Sequence, residues 1–137
     1  MDRAWWEEHF AEVAADFVGQ RFTCNPLPSK YGVTKLSKPS YNAHGNSGSG
    51  CVSLAALGGA GRVLMLGFDC QHTGGLSHWH GNHPRSLGNA GQIDRWPAKF
   101  RELQRSIGNV EVINASRVTA LDVFPRMTLE EALNLSP

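Results

Sequence analysis

With 137 residues, 41% hydrophobic and 18% charged, the chain has the length of one domain and enough apolar material for a real core. A formal net charge of +1 supplies no basic field for nucleic acid and no acidic solvating arm. No apolar run approaches the roughly 20 residues of a membrane span, and the opening Met-Asp-Arg-Ala-Trp-Trp-Glu-Glu is no signal peptide, so the expected compartment is the cytoplasm.

In chain order, Trp6, Phe10, Val13 and Phe17 fall on one helical face and predict a helix over 4–18, capped by Asp2 and ended by Gly19. A short strand over 21–25 stops at Pro26 and Pro28, and a weaker one over 33–36 closes at Pro39. Residues 41–50 read as a loop whose Asn-Ser-Gly-Ser-Gly tail opens a helix carrying Val52, Leu54 and Leu57, ended by Gly58 and Gly59. The continuous apolar run 62–68 predicts a central parallel strand buried on both faces. A long loop covers 69–94, and a helix then runs over 97–107 from Pro97 to a stop at Gly108. A strand over 110–115 follows, and the spacing of Thr128 and Glu131 predicts a capping box on a last short helix. This alternation predicts an α/β fold, a Rossmann-like three-layer sandwich on a small, mostly parallel sheet of about four strands, as a single domain over 1–137. Ligands in such sheets sit beyond the carboxyl ends of the strands.

Three features carry candidate chemistry. Glycines and serines opening a helix leave backbone N–H groups free for an anion, which places a phosphate against Asn46, Ser47 and Gly48; no Gly-Lys-Ser/Thr loop is present. Asp69 ends the apolar strand, where a carboxylate suits a ribose hydroxyl, a metal or a proton, or simply caps the turn. His78, His80 and His83 place three of the six histidines within six residues, and neutral imidazoles are common ligands of zinc and other divalent transition metals. The alternative is a polar loop anchored by Trp79. The spacing also resembles the HxHxDH motif of metallo-β-lactamase-fold hydrolases, with Asn82 in place of the aspartate, but the chain is short for that fold and its strand order differs.

Other residues read more plainly. Trp5, Trp6 and Trp96 are expected in packing, and Lys30, Lys35 and Lys38 in solvent. Arg117 and Thr119 follow the last strand and can reach the same cleft as Asp69. Cys24, Cys51 and Cys70 are odd in number, with no CxxC, and predict reduced thiols.

Taken together, the Asn46-Ser-Gly turn, the small-residue helix, the Val-Leu-Met-Leu-Gly-Phe-Asp69 run, the histidine loop, the Val-Glu-Val-Ile-Asn114 strand and Ala-Leu-Asp-Val-Phe124 resemble the C-terminal half of a Rossmann-like family. That family includes bacterial CMP-sialic-acid sialyltransferases and 6-hydroxymethylpterin diphosphokinase-like proteins. The block over 67–84 is similar to one in uncharacterised phage and prophage proteins. The resemblance implies a nucleotide or nucleotide-sugar donor, with Asn46, Ser47 and Gly48 at its phosphate, Asp69 lining the cleft and one of His78, His80 or His83 as base. It also implies that the family's first strand-helix units are lacking, so that self-association or a partner chain completes the sheet, and that a phage-encoded chain works in the host cytoplasm. Three readings follow: a transferase-like nucleotide-binding protein, a metal-dependent hydrolase using the histidines with Asp69, and a non-catalytic phage factor that binds a host protein.

Overall fold

The computed structural model describes residues 3–37, 41–78, 80–83 and 87–135. Asp2 as a helix cap, Lys38, Pro39 as a strand stop, Trp79 as a loop anchor and Pro84 lie outside the described residues. The chain divides into two compact units, Met1–Asn42 with His83–Gly88, and Ala43–Asn82 with Asn89–Pro137.

In the first unit, helix α1 spans Arg3–Asp16 and buries Trp6. Trp6 and Phe10, one turn apart, both meet the ring of Tyr31, Phe10 edge-on at 5.0 Å between centroids. The expected helical face thins toward its end, where Phe17 is exposed. The helix stops before Gly19, and the Arg21 guanidinium donates to the Phe17 carbonyl at 2.7 Å, satisfying a group the last turn leaves open. Strands β1 (Phe22–Thr23) and β2 (Thr34–Lys35) pair in parallel over two residues each.

The second unit holds the larger core. Helix α2 spans Ser47–Leu57, strand β3 Arg62–Met65, helix α3 Trp96–Gln104, strand β4 Glu111–Asn114 and helix α4 Leu129–Leu133. β3 and β4 pair in parallel from Arg62 opposite Glu111 to Met65 opposite Asn114, and the first pair is also an ion pair. Val52, Met65, Phe100, Leu103, Val112 and Leu121 meet in the buried cluster. α4 opens on the expected capping box: the Glu131 N–H donates to the Thr128 hydroxyl at 3.1 Å, and the Glu131 carboxylate accepts from the Thr128 N–H at 2.8 Å. The Thr128 N–H, and after it the Thr128 hydroxyl donating to the same carboxylate oxygen at 3.0 Å, hold the Glu131 carboxyl below its usual range.

The α/β class and the parallel pairing stand, but the four-stranded sheet does not: the described strands form two separate two-stranded sheets. β1 stops early because the Asn25 N–H turns back to the Thr23 hydroxyl at 3.1 Å, and Pro26 and Pro28 beyond it have no N–H to extend a ladder. The run predicted over 62–68 leaves the strand at Met65, because Gly67 takes a left-handed φ of 73° and turns the chain. Nor is β3 the buried centre. Its residues 62–64 are half-buried, whereas Val112, Ile113 and Asn114 in β4 are buried. β4 gains a second neighbour through Asn114, which donates to the Pro125 carbonyl at 2.9 Å and bridges to Arg126.

Candidate functional site

The start of α2 is fixed before the helix begins. His44 and Gly45 both adopt left-handed backbone, with φ of 51° and 83°, and turn the chain so that Asn46 can act as the cap. The Asn46 N–H donates to Ala43 O at 3.3 Å, the Ser49 N–H to Asn46 Oδ1 at 2.8 Å, and the Gly50 N–H to Asn46 O at 3.1 Å. The buried Ser49 hydroxyl ties back to Ala43 O at 2.6 Å. Of the amides that open a helix, those of Ser47 and Gly48 are then the ones with no acceptor inside it. Buried His44 braces the turn through Nε2, 3.0 Å from the Ser106 hydroxyl. The same hydroxyl lies 2.8 Å from Leu103 O, to which it can donate.

Opposite this turn lies the exit of β3. The Phe68 N–H donates to the Ser116 hydroxyl at 2.8 Å, the Thr119 hydroxyl donates to Phe68 O at 2.7 Å, and the Ala120 N–H donates to Asp69 O at 2.8 Å. The two carboxyl ends are thereby zipped together. Thr119 also accepts from the Asn114 side chain at 3.3 Å and the Leu121 N–H at 2.9 Å, which uses the full capacity of its hydroxyl.

Between these two features is a cavity of about 300 Å³ lined by Asn46, Ser47, Gly48, Gly67, Phe68, Asp69, Cys70, Trp96 and Phe100. Its volume is at the small end of ligand pockets, which run from about 300 to 1,000 Å³. Gly48 is required by contact: a Cβ there would lie 2.6 Å from Phe68 Cε1. Asp69 Oδ2 accepts from the Thr73 hydroxyl at 2.8 Å, so one carboxylate oxygen holds the turn of a residue that also lines the cavity. Burial, and then the charge of Asp69, pushes the Cys70 thiol up to about 11. Cys70 is therefore a protonated, inert wall at neutral pH.

The histidine loop is a separate piece of geometry. The Gly81 N–H donates to His78 O at 3.1 Å and closes a turn in which Gly81 has φ of 86°. One ring nitrogen from each of His78, His80 and His83 lies within 4.8 Å of the others. The rings of His78 and His80 stack at 5.1 Å with 3° between their planes. Because all three come from six consecutive residues, this spacing belongs to the loop itself.

The chain matches no protein-family model, no curated protein and no solved structure.

Of the residues singled out from sequence, Asn46, Ser47, Gly48 and Asp69 meet at the cavity. His78, His80, His83 and Thr119 are not among its lining residues. Among the described residues no carboxylate or thiol joins the three imidazoles, so Asp69 is not a member of that group. The aromatic wall was missed, although Trp96 and Phe100 stand four apart on one helix and so share a face. Cys24 and Cys51 are exposed free thiols and Cys70 a buried one.

Proposed function

We propose that the cavity at the start of α2 binds a phosphate-bearing small molecule of nucleotide or nucleotide-sugar type, and that the chain is transferase-like. The observation that carries this reading is the meeting, in the lining of one cavity, of Ser47 and Gly48 from the start of α2 with Asp69, Phe68 and Trp96. Amides at a helix start, with the positive end of the helix dipole behind them, suit a phosphate. A carboxylate suits ribose hydroxyls, and aromatic faces suit a base. The transferase assignment follows the sequence resemblance to the sialyltransferase-containing family and its phage relatives, which supplies the idea of a nucleotide-activated donor. The cavity lining holds no histidine, so its own groups account for binding and leave the base unassigned.

A thermal-shift panel tests this with CMP, UDP, GDP and AMP, a CMP-linked sugar, the free sugar and inorganic phosphate. At a hundredfold excess over Kd a ligand stabilises by about 2.7 kcal/mol, which raises Tm by several degrees in a chain of this size. The expected result is a rise with at least one nucleotide and none with the free sugar. Silence across the panel overturns the reading.

A further inference from the structure

We propose that the histidine turn is a binding site for a zinc-class divalent transition-metal ion, held by His78, His80 and His83 with water in the remaining position. The inference is independent of the nucleotide reading and uses none of the cavity residues. Three nitrogen donors already lie within 4.8 Å of one another. With Zn–N bonds of about 2.0–2.1 Å, tetrahedral ligands stand roughly 3.3 Å apart, so no pair has to close by more than about 1.5 Å.

That closure is available to side-chain rotation. His80 is exposed, His78 and His83 are half-buried, and none of the three belongs to the buried hydrophobic cluster, so a change of rotamer does not open that cluster. Gly81, with its left-handed φ, stands in the chain between His80 and His83. The parallel arrangement of the His78 and His80 rings has to be given up, because stacked rings present faces to each other and lone pairs in their planes. Binding therefore carries a structural signature, the loss of that stack.

The donor set defines the class of ion. Three neutral nitrogens suit Zn²⁺, Co²⁺, Ni²⁺ or Cu²⁺ and do not suit the oxygen-seeking Mg²⁺ and Ca²⁺. Three protein ligands also leave a fourth tetrahedral position for an exchangeable water, as in an open zinc site.

The test uses the full chain, free of any polyhistidine tag and stripped with a chelator. Titration with Zn²⁺ by calorimetry is expected to give one equivalent per chain, and Co²⁺ is expected to give the visible absorption of a tetrahedral site. Azide is expected to shift those bands by replacing the water; unchanged bands would overturn the open position. His78→Ala, His80→Ala and His83→Ala should each weaken Zn²⁺ binding at least tenfold, whereas His72→Ala should leave it within twofold. Circular dichroism confirms that each variant is folded, and exposed His80 supplies the decisive variant should either neighbour fail that check. A large excess of Mg²⁺ should not compete. Absence of binding, or equal binding by wild type and the triple variant, would overturn the site.

Discussion

Around the start of α2 the groups that shape the cleft come from three separate stretches of chain, at 46–48, at 67–70 and on α3, whereas the three imidazoles come from six consecutive residues. The first geometry exists only when distant segments pack: Phe68 and Phe100 meet edge-on at 5.8 Å, and Phe68 is fastened through Ser116 and Thr119 beyond β4. The second is drawn together locally, with the Gly81 N–H donating to His78 O. A cleft built from the core should fail with the core, and a turn built from its own sequence should respond to local backbone changes alone. Each substitution below separates these two kinds of construction.

The largest effect is expected from Phe100→Ala. Phe100 is fully buried, lines the cavity and contacts both Phe68 and Phe124. Emptying such a site costs about 3–5 kcal/mol, readable as a lower urea midpoint at unchanged slope. Nucleotide stabilisation should vanish with it. A stability loss under about 1 kcal/mol would show that the cleft is not part of the cooperative core.

Gly48→Ala comes next. The added methyl meets the Phe68 ring at 2.6 Å, and overpacking of this kind costs about 1–3 kcal/mol. Since Phe68 has to move into the cavity or away from it, ligand affinity should change along with stability, and a variant altered in neither would contradict the contact.

A smaller effect divides folding from binding at one position. Asn46→Ala removes the cap on Ser49 and costs about 1 kcal/mol. Asn46→Asp keeps an acceptor for the Ser49 N–H, so the unliganded Tm should stay near wild type. The new negative charge faces the proposed phosphate, however, and nucleotide affinity should fall about tenfold, equivalent to about 1.4 kcal/mol. Unchanged affinity in Asn46→Asp would remove the phosphate from the start of α2.

The Cys70 thiol gives a pH-dependent comparison. Its value is raised from 9.0 to about 11, so the folded state favours the protonated form. The associated stability is present below about pH 9 and is lost as the pH rises through about 11. Tm should therefore decline across that alkaline window, and Cys70→Ala should flatten the decline. At pH 8 only roughly one Cys70 in a thousand is thiolate, so exposed Cys24 and Cys51 should react with a thiol reagent first. Equal rates at all three would mean that the cavity wall is open.

How far the sequence carries follows the same division. The start of α2 was readable because a capping asparagine, small residues and glycines act over a few positions. The capping box of α4 was readable for the same reason. The sheet was not, because a continuous apolar run reads alike in an edge strand and a central one, and pairing is decided by segments far away in sequence. Leu66 continues that run yet is 55% exposed, since Gly67 has already begun to turn the chain. The cleft's aromatic wall was hidden for a related reason. Helical spacing places Trp96 and Phe100 on one face of α3 but does not say what the face meets. Conversely, the closeness of the three imidazoles needed no long-range knowledge, only a glycine able to turn the chain between them.

The smallest effect on global stability is expected at Gly81, where the local and the cooperative can be told apart most finely. Among the described residues a Cβ there meets nothing within 4 Å, so Gly81→Ala acts through its left-handed φ of 86°. An L-residue held in that region costs about 1–2 kcal/mol. Because the turn can open without disturbing the core, the unfolding free energy should move by less than about 0.5 kcal/mol, the chain shedding the strain by local rearrangement. Zn²⁺ has no such escape, since binding requires the turn to close, and its affinity should fall roughly 5–30-fold, the same 1–2 kcal/mol converted. Gly81→Asn, which tolerates the left-handed conformation better, should recover much of the loss. A Gly81→Ala variant that binds Zn²⁺ as well as wild type would show that the turn is not what brings the imidazoles together, and the contrast between the two regions would then fail at its simpler end.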